Sequence, residues 1–139
     1  AHLDGLLATG PDKRRMVKEP HAWILGLPLN DTPAAPLTVW EGSHEILRAA
    51  LRKALHPHPP ASWGNIDITE PYQQARREIF ATCRRVELPA RPGEVTLLHR
   101  LTLHGVAAWK SQDKAPPEGR MIAYLRPQLP TVEAWLTIP

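Results

Sequence analysis

Apolar residues in this chain fall in short clusters separated by proline, glycine and charge, and the spacing within each cluster assigns the elements. The run His21-Ala-Trp-Ile-Leu-Gly-Leu-Pro-Leu29 is too short and too closely bounded by prolines for a helix, and it predicts a buried strand. Asn30–Pro36 is turn-forming, and Leu37-Thr-Val-Trp40 predicts a second short strand. The period then changes. Ile46, Leu47, Ala50, Leu51 and Ala54 form one helical stripe, with Ser43 as N-cap, Glu45 in the first turn and a stop at His56-Pro57. After a loop over 56–64, Thr69 is placed to cap a second helix, with Pro71 in its first turn and Tyr72, Ala75 and Ile79 on one face. Period two returns at Val86 and Leu88. Beyond the Pro92-Gly93 turn, Glu94–His99, Leu103–Val106 and Met121–Leu125 predict three more strands. Residues 10–20 read as a polar connection, and no internal repeat is visible. The expectation is a mainly β fold, a sandwich or barrel with one or two helices.

Composition narrows the class. At 139 residues the chain holds one domain, 1–139, with a real core. Its 16 prolines, against about 7 expected at ordinary usage, argue against a helical bundle. The net charge of +3 is mild, and the arginine pairs at 14–15, 76–77 and 84–85 have no aromatic interleaving, so no nucleic-acid partner is expected. No apolar run approaches the roughly 18 residues of a membrane span, so no membrane partner is expected either. The start, Ala-His-Leu-Asp-Gly-Leu-Leu, lacks the features of a secretory signal, and the single Cys83 excludes an internal disulfide framework. A cytoplasmic protein is the expectation.

Three ionisable residues fit one metal site. His2 and Asp4 are one residue apart, so on an extended strand both side chains share a face. His104 opens a predicted strand, between Leu103 and Gly105. Two imidazoles and one carboxylate on one face of an ion leave positions open, the arrangement non-haem iron(II) needs to activate oxygen. Arg120 opens the otherwise apolar strand Met-Ile-Ala-Tyr. A guanidinium there needs an anionic partner if buried, and its planar fork suits a dicarboxylic acid.

With those residues go two longer segments: Ala35-Pro-Leu-Thr-Val-Trp-Glu-Gly-Ser-His44, and Arg91-Pro-Gly-Glu-Val-Thr-Leu-Leu-His-Arg-Leu-Thr-Leu-His104-Gly. Together with His2-Leu-Asp4 and Gly119-Arg120, in this order over residues 2–126, they make the chain resemble the phytanoyl-CoA dioxygenase family. The resemblance implies a double-stranded β-helix, a jelly-roll of cupin type. It implies Fe(II) held by His2, Asp4 and His104 as the catalytic centre, and 2-oxoglutarate as cosubstrate with its far carboxylate on Arg120. The implied reaction consumes O2, converts 2-oxoglutarate to succinate and hydroxylates a small-molecule substrate. Family members carry a long segment before the His-x-Asp motif, so the chain is expected to be the C-terminal portion of a longer protein. Strand edges exposed by truncation would favour a homodimer. The alternative is a catalytically inactive jelly-roll fragment, or a cupin-type protein binding metal or a small molecule.

Other residues compete for these roles. His21 and Trp23 share a face of their predicted strand and line either the cosubstrate pocket or the core. His99 is the rival of His104 as distal ligand, and Arg126 the rival of Arg120, although Pro127 marks Arg126 as a strand end at the surface. His44 is assigned to structure beside the helix cap, and Cys83 to simple packing.

Overall fold

The computed structural model describes residues 1–110, 112–113 and 116–138. Among them, eight strands form three antiparallel sheets, accompanied by a few helices. A hairpin of β1 (Leu6–Thr9) and β2 (Arg14–Val17) comes first, and β3 (Trp23–Pro28) and β4 (Leu37–Trp40) follow it. Helix α1 (Ser43–Leu55), a 3-10 helix (Pro60–Asn65) and α2 (Thr69–Thr82) precede β5 (Arg85–Leu88), β6 (Thr96–His99), β7 (His104–Val106), β8 (Ile122–Leu125) and α3 (Val132–Thr137). The order is β6-β3-β8 in one three-stranded sheet and β5-β4-β7 in the other.

Two apolar clusters hold these layers. Ile24 and Leu98 from one sheet meet Leu37 and Val39 from the other, with Val86 and Leu88 at the margin, so the two sheets pack face to face. The cross-strand register fits this. Ile24 pairs with Leu98, Val39 with Val86 and Leu37 with Leu88, each pair pointing inward. The larger cluster lies under the helices: Leu47, Leu51 and Leu55 of α1, Tyr72, Ala75 and Ile79 of α2, and Trp135 and Leu136 of α3, together with Leu3, Leu101 and Leu103. The helical stripes read from the sequence supply that face. The opposite face of the β6-β3-β8 sheet carries Trp23, Leu97 and Leu125, all exposed. No described helix is long and apolar enough to cross a membrane.

Four expectations need correction. Residues 10–20 are not a plain connection: they hold a hairpin turn, with Gly10 and Lys13 at positive φ, and strand β2. Arg14 and Arg15 concealed that strand, because one side of it faces water. A third α-helix, α3, is present, capped by Thr131 accepting a hydrogen bond from the Ala134 amide at 3.0 Å. Ser43 does not cap α1. Gly42, at φ 77°, occupies the N-cap position, and the buried Ser43 hydroxyl accepts the Leu103 amide at 2.9 Å instead. Thr69 likewise does not cap α2. Its hydroxyl accepts the Arg15 amide, while the Asp67 carboxylate takes the Thr69 amide at 2.9 Å.

Candidate metal centre

Period-two alternation builds the site from two short extended segments. Leu3 is buried in the helical cluster and its amide donates to the Tyr72 hydroxyl at 3.1 Å. Its neighbours His2 and Asp4 therefore project to the other side. Leu103 is buried in the same cluster, anchored through Ser43, and His104 is its neighbour. The segments are joined by a two-way bridge: the His2 amide donates to the His104 carbonyl at 2.8 Å, and the His104 amide to the His2 carbonyl at 3.1 Å. Gly105 makes the approach possible, since a Cβ there would lie 3.1 Å from the Ala1 Cα. Gly5, at φ 89°, turns the chain away immediately after Asp4. A Cβ at that position would meet the Glu19 carbonyl oxygen at 2.6 Å.

The three side chains converge. One ligand atom from each of His2, Asp4 and His104 lies within 4.8 Å of the others, the only such group among the described residues. His2 Nε2 donates to Asp4 Oδ1 at 3.0 Å, and His104 Nε2 lies 3.6 Å from the same oxygen. Asp4 and His104 are each 6% exposed, whereas the His2 side chain is open to solvent. His104 Nδ1 donates to the Thr102 carbonyl at 2.9 Å. That fixes the tautomer and leaves Nε2 as a lone pair turned toward the carboxylate.

Charge in the cluster is poised for a cation. Burial pushes the His104 pKa down, against the opposing effects of the Thr102 hydrogen bond and the Asp4 charge, and keeps the ring neutral. Burial alone would raise the Asp4 pKa. The His2 hydrogen bond and the nearby His104 and Arg126 more than offset it, and the carboxyl stays below its ordinary value. Asp4 Oδ2 is buried and accepts no hydrogen bond, although Arg126 Nε lies 3.2 Å away, because that N–H is not aimed along the contact. Asp4 Oδ1 faces the bare His104 nitrogen and Oδ2 accepts no hydrogen bond, so the cluster presents electron-pair donors that a positive ion between them would satisfy. The donor set fits a divalent metal of the iron class.

Arg120, Trp23, His21, His99 and His44 supply no ligand atom to this group. Arg120 is half-buried after Gly119, which sits at φ 75°, and lines a small cavity between the two three-stranded sheets with Gly26, Leu37, Thr96 and Tyr124. It makes no contact with the cluster. Trp23 pairs with His99 on the outer face of the β6-β3-β8 sheet and is 38% exposed. His21 is buried, bridged to Gln128, with Nδ1 unpartnered and Nε2 3.8 Å from Glu19. His99 is held by other partners. Its Nδ1 accepts the Leu101 amide at 3.1 Å, and Nε2 lies 3.1 Å from the Arg48 guanidinium. The His44 ring lies 5.1 Å from it, tilted by 49°, and His44 Nε2 is 3.1 Å from a Glu45 carboxylate oxygen.

Arg126, read from Pro127 as a strand end at the surface, does lie exposed just past the end of β8, but the sequence did not place it at the site. Its guanidinium lies over the Tyr124 ring at 5.1 Å and against Asp4. The signal was available in the alternation. Ile122 pairs with Pro28 and Tyr124 with Gly26, both buried positions, so residue 126 continues the inward-facing series.

No protein-family model, curated protein or solved structure matches this chain. Its function is therefore argued from the site itself.

Proposed function

We propose that this chain is an iron(II)- and 2-oxoglutarate-dependent oxygenase of double-stranded β-helix architecture, hydroxylating a small organic molecule. The observation that carries the reading is the convergence of His2, Asp4 and His104, with Asp4 Oδ2 free of hydrogen bonds and the His104 lone pair turned toward Oδ1. Iron(II) bound by these three residues would supply oxygen activation, coupling conversion of 2-oxoglutarate to succinate with hydroxylation of a C–H bond.

The chain's own groups define what surrounds that chemistry. Leu3 and Leu103 seal the underside of the cluster against water through the helical core. The Thr102 carbonyl holds His104 in the tautomer a metal requires. Arg120, between the sheets, offers a planar fork for the far carboxylate of 2-oxoglutarate. Arg126 shields the Asp4 charge in the metal-free protein and is the second cation available to an acidic ligand.

The test is turnover. Purified protein with iron(II), oxygen and a panel of small substrates should form succinate from 2-oxoglutarate, and His104→Ala should abolish it. Equal succinate formation by that variant contradicts the proposal. A cupin-type metal-binding protein without turnover is the second reading, favoured by Arg126 standing on Asp4. Metal-dependent stabilisation that is indifferent to 2-oxoglutarate would select it.

A further inference from the structure

A polar cavity of about 380 Å³ opens beside the candidate centre, lined by His2, Arg15, Tyr72, Gln73 and Arg76 among others, and no carboxylate side chain lines it. Its two arginines come from different elements, Arg15 from β2 and Arg76 from α2. Both are half-buried, and neither has an acidic partner within ion-pair distance among the described residues. Arg76 is held rigidly: Nη1 donates to Gln73 Oε1 at 3.2 Å and Nη2 to the Ala1 carbonyl at 3.1 Å, and the guanidinium lies over the Tyr72 and Phe80 rings. Its Nε is buried with no hydrogen-bond partner. The Tyr72 hydroxyl accepts the Leu3 amide, which leaves its own O–H to donate.

Two unneutralised guanidinium groups, a spare phenolic proton and an orphaned N–H around one cavity outnumber the neutral acceptors there, Gln73 Oε1 and the Ala1 carbonyl, and no anionic acceptor lines it. Burying such a set is costly unless an anion supplies the missing oxygens. The Ala1 carbonyl held by Arg76 belongs to the peptide that leads into His2, so an anion here sits immediately beside a metal ligand. We propose that this cavity is a binding site for an oxyanion, a carboxylate or phosphate group, gripped by Arg15 and Arg76. That group is the anionic end of the substrate presented to the His2–Asp4–His104 centre. The naming of the occupant as substrate rests on the proposed function; the anion site does not.

The experiment uses the full chain, stripped of metal with chelator, titrated calorimetrically at low ionic strength with inorganic phosphate and separately with acetate. Saturable binding of at least one anion is expected, weakened by about tenfold or more in Arg15→Gln and in Arg76→Gln. Arg77→Gln, on the same helix but outside the cavity, should bind as the parent does. Saturation by phosphate alone assigns a phosphorylated ligand, and saturation by acetate alone a carboxylic acid. Because Arg76 also packs on two aromatic rings, each variant is checked for native circular dichroism, and Arg15→Gln decides alone if Arg76→Gln fails to fold. No saturation by either anion, or unchanged binding in Arg15→Gln, overturns the proposal. His104→Ala separates the two readings: it should lose metal binding and keep anion binding.

Discussion

Asp4 sits at the meeting point of every charge in the site, with His2, His104 and Arg126 all within 3.6 Å of its oxygens. Arg126 and a divalent ion compete for the same carboxylate. Removing the guanidinium removes repulsion felt by the incoming ion, so Arg126→Gln should tighten cobalt(II) binding by about tenfold at neutral pH. Weaker or unchanged affinity by absorption titration would show that Arg126 does not oppose the metal. His99 makes a separate prediction. Burial, with Arg100, His44 and Arg48 nearby, pushes its pKa down to about 4. A free imidazole titrates near 6.5. Between these values the unfolded chain binds the proton and the folded chain does not, so stability is full above about pH 6.5 and falls as pH drops toward 4. Thermal melts across that interval should show the decline, and His99→Gln should flatten it. An identical slope in the variant would assign the loss to other groups.

The elements matter because each metal ligand is aimed by an apolar neighbour on its own segment. Leu3 and Leu103 enter the helical core, so His2, Asp4 and His104 cannot. Ser43 is the connection between the helical layer and the second segment. Ser43→Ala leaves the buried Leu103 amide without an acceptor and should cost about 1–3 kcal/mol in urea unfolding, with weaker metal binding because His104 follows directly. Loss of stability with metal affinity intact would mean that β7 is positioned without Ser43. His2 and Asp4 were legible as a pair because alternation is a local signal, whereas His104 was chosen over His99 by the Gly105 that follows it and by the family resemblance. The β1–β2 hairpin was not legible, because its polar side masks a four-residue strand. Helix α3 was missed because six residues are too few for a helical stripe, although Thr131 offered a cap. Pro127 marked Arg126 as lying past a strand end at the surface, and the Tyr124–Arg126 alternation carries its side chain toward Asp4. That Ser43 and Thr69 serve distant amides instead of their own helices depends on tertiary neighbours, which local propensity does not encode.

Taken whole, the molecule has a helical layer and a two-sheet layer, and the candidate centre is built where segments crossing between them meet. His2 and His104 are far apart in the chain and adjacent in space through two reciprocal backbone hydrogen bonds. The inter-sheet space with Arg120, about 20 Å³, and the basic cavity with Arg15 and Arg76 are separate. The proposed oxygenase needs both the metal ligands and Arg120 to act on one ligand. The most direct check is an anaerobic titration of the chain with iron(II) and 2-oxoglutarate, following the visible charge-transfer absorption of the chelated pair. The expected result is a band that saturates stoichiometrically, is absent in His104→Ala and needs much more 2-oxoglutarate in Arg120→Ala. Iron(II) binding without any such band at saturating 2-oxoglutarate would contradict it.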